Sequence, residues 1–176
     1  ACPDQVKQRL EQFASRGAMD IRGVGTQMSV LLIERGLVSD FSDLYYLKDK
    51  RNEFLSIERM AEKSVNNLLD AISKSKKRPL VRLICALGIR RVGGETAEIL
   101  AKKFGSLEAL ADASKERLSS IPAIGPKIAD SITTFFKNEE NKWIIKRLKD
   151  ADVLLEEEGV AKFEEQPLLG QEFVIT

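Results

Sequence analysis

The sequence predicts an all-α protein: one compact helical domain in which a unit of helix, tight hairpin and helix recurs four times in tandem. Three observations predict it. The last residue of a short turn recurs as Gly25, Ala61, Gly93 and Gly125, at intervals of 36, 32 and 32 residues. The position seven residues beyond each is aliphatic: Leu32, Leu68, Leu100 and Ile132. Behind the turns, apolar residues fall at helical spacing, as in Ile128, Ala129 and Ile132. Self-similarity at such a period marks an array of one supersecondary unit. Two-helix units cannot bury both faces alone, so the copies should pack pairwise.

The elements follow in order. Residues 6–14 form a polar helix with Val6, Leu10 and Phe13 on one face, ended by Ser15 to Gly17. Gly23-Val24-Gly25 is the first hairpin; Ser29 is the small residue four places on, and Val30, Leu31 and Ile33 carry the helix to Gly36. Residues 40–47 read as a short capped helix, with Asp40 and Ser42 as candidate N-caps. The second copy, residues 57–72, is degenerate: Arg59-Met60-Ala61 replaces the glycine turn, Lys63 lies two places beyond, and Val65 and Leu68 form the helix face. A basic linker, SKSKKRP, leads to an apolar helix over 80–87 that contains Cys85, read as a small buried hydrophobe. Arg91-Val92-Gly93 is the third hairpin, followed by Ala97 and Leu100. A short helix over 106–113 starts near Ser106 and Glu108.

The fourth copy is the most complete. Leu118 and Ile121 precede Ala123-Ile124-Gly125, and Pro126 opens the next helix, where its missing amide hydrogen costs nothing. Residues 139–151 form a further amphipathic helix with Trp143, Ile144 and Leu148 inward; Phe104 is likewise placed in the core. The domain therefore runs over 6–153. Residues 154–168 read as an acidic linker, and 169–176, within PLLGQEFVIT, as a strand with no partner in this chain. Both ends give the expectation of a piece of a longer protein.

The chemistry lies in the turns. An amide at a helix start has no helical acceptor, and the helix dipole makes that end positive, so such a turn favours a phosphate. Arg22, Thr26, Arg59, Lys63, Arg90, Arg91 and Lys127 flank the turns as candidate phosphate neighbours. The formal charge of +1 averages uneven segments. Residues 74–103 hold nine basic and two acidic residues, and 156–176 hold six Glu against one Lys, the composition of a nucleic-acid module with an acidic tail. With no histidine, the commonest acid–base group and zinc ligand is missing. No apolar run approaches the roughly 20 residues of a membrane span. Two distant cysteines and the absence of a signal-peptide core suit the cytoplasm.

The words SRGAMDIRGVG, KSKKRPLVRLICALGIRRVGGETA and FGSLEAL, followed by IPAIGPKIADSI, resemble the tandem helix-hairpin-helix domain of bacterial NAD-dependent DNA ligases. The resemblance covers about residues 1–153. It implies four helix-hairpin-helix motifs that hold nicked duplex DNA through Arg22, Gly23, Val24, Gly25 and Thr26; Arg59, Met60, Ala61 and Lys63; Arg91, Val92, Gly93 and Gly94; and Ala123, Ile124, Gly125 and Lys127. It also implies that residues 1–5 end a four-cysteine zinc finger, with Cys2 as its last ligand, and that Gly170 to Thr176 open a BRCT domain. The parent would use NAD, magnesium and zinc, close on DNA with its own adenylation and OB domains, act as a monomer, and work in the cytoplasm at the nucleoid in replication and repair. The family's nucleophilic Lys sits in a Lys-x-Asp-Gly motif absent here, so the fragment itself should be non-catalytic.

Two other functions share the pattern. One is a helix-hairpin-helix scaffold from a repair nuclease or junction-binding protein. The other is a helical protein-interaction module whose turns serve only for packing. Salt separates the last from the first two, because phosphate contacts make DNA affinity fall steeply with ionic strength.

Overall fold

A computed structural model describes residues 2–157, and among these the only strand pairing is an isolated bridge between Ser106 and Glu156. Ten α-helices and one 3-10 helix follow each other: α1 (Pro3–Ala14), α2 (Thr26–Glu34), the 3-10 helix (Phe41–Lys50), α3 (Arg51–Leu55), α4 (Glu62–Ser75), α5 (Leu80–Ala86), α6 (Gly94–Phe104), α7 (Leu107–Asp112), α8 (Lys115–Ser119), α9 (Pro126–Lys137) and α10 (Glu139–Asp150). The expected all-α architecture is thus found.

Each hairpin joins two helices that pack on one another: α1 on α2, α3 on α4, α5 on α6 and α8 on α9. The 3-10 helix packs on α1, α3, α4 and α10, and α10 also packs on α9. One hydrophobic core therefore runs through all four copies. Leu32, Leu68, Leu100 and Ile132, the four aliphatic repeats, are at most 2% exposed within it. The +4 positions Ser29, Val65, Ala97 and Ala129 are 0% exposed.

Local chemistry sets several boundaries. Ser106, Ser114 and Asn138 cap α7, α8 and α10 by accepting from the amides of Ala109, Arg117 and Asn141. Asp40 caps the 3-10 helix in a capping box with Asp43. Ser42 is not a cap: its hydroxyl is buried, donates to Asp40 and accepts from Arg147 at 3.0 Å.

Three further expectations change. Trp143 is not inward but 57% exposed, because the buried stripe of α10 takes Ile144, Leu148 and then Ala151, one position off its ring. Phe104 is in the core as expected. The basic linker is partly helix: α4 continues to Ser75, whose buried hydroxyl donates to Ile72 O at 2.6 Å and shares a 2.9 Å bond with Tyr45. Cys85 is half-buried rather than fully buried, and burial pushes its thiol pKa up against the neighbouring Arg82 charge.

Residues 154–157 fold back onto the helices. Leu154 N donates to Lys76 O, Leu107 N to Leu155 O and Glu157 N to Gly105 O, each at 2.8 Å. The rest of the expected linker and the expected strand lie outside the described residues.

Candidate nucleic-acid interface

The four hairpins share one backbone design. The amide of the turn's hydrophobic residue donates to the carbonyl of an isoleucine three residues earlier: Val24 to Ile21 (3.4 Å), Met60 to Ile57 (3.1 Å), Val92 to Ile89 (3.0 Å) and Ile124 to Ile121 (3.0 Å). All four isoleucines are buried and anchor the turn to the core. The repeat of isoleucines was present in the sequence with the same spacing, but only Ile121 was singled out there.

The residue before the hydrophobic one has positive φ in every copy: Gly23 (102°), Arg59 (67°), Arg91 (66°) and Ala123 (75°). This is the third position of a tight turn that glycine fits best, and only the first copy supplies glycine there. The next residue N-caps α2, α4, α6 or α9 with ordinary extended geometry. Gly25 and Gly93 have φ −96° and ψ −170°, Gly125 φ −80° and ψ 175°, and Ala61 φ −73° and ψ 140°. A Cβ built on Gly25, Gly93 or Gly125 meets nothing within 4 Å. Glycine therefore stands where the fold does not require it, and is missing from three of the four positions where backbone geometry favours it.

The ends of these four helices are left open. None has a side-chain cap bond. The first helical bonds run from Ser29 N to Gly25 O (2.9 Å), Val65 N to Ala61 O (3.1 Å), Ala97 N to Gly93 O (2.9 Å) and Ala129 N to Gly125 O (3.0 Å). Amides earlier in each helix have no helical acceptor. Gly25, Thr26, Ala61, Lys63, Gly93, Gly94, Gly125 and Lys127 are exposed.

The copies fall into two kinds. Ahead of the isoleucine, Asp20 (φ 50°) and Gly88 (φ 67°) are left-handed in copies 1 and 3. Ser56 and Ser120 are right-handed in copies 2 and 4. Hairpins 1 and 2 adjoin: a Cβ on Gly23 would lie 3.3 Å from Leu68 Cδ1 of α4, and Met60 shares a notch with Gly25 and Met28. Copies 3 and 4 are linked further back, where the Arg117 guanidinium of α8 lies 4.9 Å from the Phe104 ring centroid of α6.

Basic residues divide into those facing out and those that brace the fold. Arg22, Arg59, Lys63, Arg90, Arg91 and Lys127 are exposed beside the turns, and among the described residues none is held in an ion pair. Arg78 instead donates to Met19 O (3.0 Å) and Asp20 O (3.3 Å) and lies 3.6 Å from the Asp20 carboxylate. Arg82 donates to Arg16 O (2.9 Å) and Ala18 O (3.1 Å). These two hold the segment leading into hairpin 1. Around hairpin 2, Glu62 pairs with Arg51 at 3.0 Å, and Glu58 adds a second exposed acid.

Cys2 is exposed at the start of α1, and no group of three or more Cys, His, Asp or Glu among the described residues could hold a metal. A single thiolate does not make up a tetrahedral zinc site.

Residues 82–145 match the helix-hairpin-helix motif family. The whole chain is 47% identical to 26% of a DNA ligase of Dehalococcoides mccartyi (strain CBDB1). Over 99% of the chain it is 47% identical to a DNA ligase of Halothermothrix orenii and 43% identical to one of Symbiobacterium thermophilum, again covering 26% of each. The chain thus spans about a quarter of the length of these curated relatives, and along its whole length it is similar to a segment of that size in DNA ligases, with a helix-hairpin-helix motif within it.

Proposed function

We propose that this domain holds nicked duplex DNA, without sequence preference, as the DNA-clamping segment of an NAD-dependent DNA ligase. One observation carries the reading: Gly25, Gly93 and Gly125 have open space where a Cβ would stand, at extended φ that any residue adopts. Neither packing nor backbone geometry accounts for three glycines there. Close approach of an outside backbone does, because a side chain would hold a phosphate away from the amides.

Phosphate oxygens would sit on the free amides of the first turns of α2, α6 and α9, with Arg22, Arg91 and Lys127 alongside. Contacts of this kind fix position on the duplex and carry no base information, which suits a protein that must act at any sequence. The grips would lie across the minor groove. The second hairpin, with Ala61 and two nearby acids, contributes least to this term. Nick sealing, NAD and magnesium belong to the full-length protein on this reading, as do a zinc finger ending at Cys2 and a BRCT domain opening at 169–176.

The test is fluorescence-anisotropy binding of the chain to nicked and intact duplexes over a salt series, with Gly25→Val, Gly93→Val and Gly125→Val. The expected result is a log–log salt slope of about −0.9 per phosphate held, with weaker binding by each variant at unchanged helix content. A folded wild type that binds no duplex at low salt would overturn the proposal.

A further inference from the structure

A groove of about 670 Å³ opens between α7, α10 and the segment that returns over residues 152–156, and no hairpin residue lines it. Its floor is apolar, with buried Leu107 and half-buried Ile145, Leu154 and Leu155. Its walls differ in charge. Exposed Lys142, Lys146 and Lys149 stand along α10, while exposed Glu108, Asp152 and Glu156 line the rest. Lys142 pairs with Glu139 at 3.1 Å. Among the described residues, neither Lys146 and Lys149 nor the three acids are held in an ion pair. An apolar floor between a basic and an acidic wall fits an occupant that carries an apolar group between an acid and a base.

We infer that the groove receives the chain's own Lys162-Phe163-Glu164-Glu165, with Phe163 on the floor, Glu164 and Glu165 towards Lys146 and Lys149, and Lys162 towards the acidic wall. Lys162 is the only base in residues 158–176, and it adjoins Phe163 directly. The chain reaches this point already pinned to the groove's edge, because Leu107 N donates to Leu155 O and Glu157 N to Gly105 O. Phe163 lies six residues beyond Glu157, a reach of up to roughly 20 Å in extended chain. The lysine row spans seven residues of helix, about 10 Å, so the ring can reach any part of the floor. Tethering sets an effective concentration on the order of millimolar, so a contact too weak to hold a separate peptide is still populated. Burial of the ring drives the contact, and the exposed ion pairs set its orientation more than its strength. Docking fixes the direction in which the following residues leave the domain, and it is independent of the phosphate-gripping reading.

The experiment is NMR of the whole 176-residue chain at low salt, reading NOEs from the Phe163 ring to the methyls of Ile145 and Leu155. These NOEs are expected in the wild type, and Phe163→Ala should shift the same methyl resonances while leaving those of Leu32, in the first copy, in place. The double variant Lys146→Glu with Lys149→Glu should lose the NOEs. Adding Glu164→Lys and Glu165→Lys to that variant should bring them back, which a merely damaged α10 would not allow. Absence of the NOEs in the folded wild type would overturn the inference, and so would their survival unchanged in the double variant. A loss that the added charge swap does not reverse would overturn it as well. In a mixture of copies labelled separately at the ring and at the methyls, the same NOEs would assign the occupant to a second copy and overturn docking within one chain.

Discussion

Arg147 of α10 and Asp43 of the 3-10 helix, 104 residues apart in the chain, form an ion pair whose side chains are only 21% and 14% exposed. Asp40 lies 3.8 Å from the same guanidinium, Ser42 accepts from it at 3.0 Å, and its carbon stands 4.4 Å from the Tyr46 ring centroid. The Tyr46 hydroxyl donates to the Arg147 carbonyl at 2.9 Å. This cluster ties the last helix to the connector between the first two copies. Removing one partner leaves a largely buried charge, so Asp43→Ala should cost about 2–3 kcal/mol, discounted from fully buried pairs for residual exposure. Chemical denaturation with Arg147→Met and the double variant gives the coupling, which should exceed 1 kcal/mol in order of magnitude.

Acid should act through the same pair. Burial alone would raise the Asp43 pKa, but the bonds from Ser39 and Arg147 together outweigh it and hold the carboxyl below its usual value. A depressed folded pKa gives stability that is present above the unfolded value, roughly 4. That stability is lost as pH falls through the folded value. As pH falls below about 4, wild type should therefore lose stability more steeply than Asp43→Asn. Parallel curves would remove Asp43 from acid unfolding.

Two buried serines should respond with opposite sign. Ser29 is 0% exposed and its hydroxyl has no partner, while copies 2, 3 and 4 place Val65, Ala97 and Ala129 at that position. Ser29→Ala should stabilise by about 1 kcal/mol, a rise of roughly 3 °C in Tm. Ser75 satisfies both Ile72 O and Tyr45, so Ser75→Ala should destabilise by a similar amount. Thermal melts of both variants check the pair.

Much of this was legible because the chain states its unit four times. Position-by-position comparison of Gly25, Ala61, Gly93 and Gly125 found the helix starts, and the +7 aliphatics found the core, without knowledge of tertiary contacts. What escaped depends on direction or distance. A helical stripe is read from several residues, and Trp143 lies one step from the buried Ile144, a rotation that its bulk and hydrophobicity concealed. The bracing by Arg78 and Arg82 joins residues about 60 apart, so a basic run was read as a linker. The left-handed Arg59, Arg91 and Ala123 were hidden because the sequence gives no glycine there.

Glycines of the hairpins should separate fold from binding. Gly23 combines φ 102° with a near neighbour, Leu68 Cδ1, at 3.3 Å from an added Cβ. Gly23→Ala should cost about 1–2 kcal/mol of stability. Gly93→Ala has φ −96° and open space, and should leave the melt within about 0.5 kcal/mol. On the phosphate reading its duplex affinity nevertheless falls, and one melt and one binding curve per variant distinguish the two positions. Equal loss of stability would mean that the turn, and not an outside backbone, demands glycine at Gly93.

The basic residues permit the sharpest division. Lys127 is exposed beside the open start of α9. Arg78, by contrast, is committed to Met19 O, Asp20 O and the Asp20 carboxylate. If Lys127 neutralises one phosphate, Lys127→Gln should lower the magnitude of the log–log salt slope by about 1 and leave the melt unchanged. Arg78→Gln strands two backbone carbonyls and one carboxylate beside hairpin 1, so it should lower Tm by several degrees. Its salt slope should stay near that of wild type, with any affinity loss following from looser positioning of Gly23 to Gly25. Measured side by side, the two variants test whether charge at this surface acts on phosphate directly or through the fold. An Arg78→Gln slope change equal to that of Lys127→Gln would assign Arg78 to the DNA-facing set despite its internal bonds.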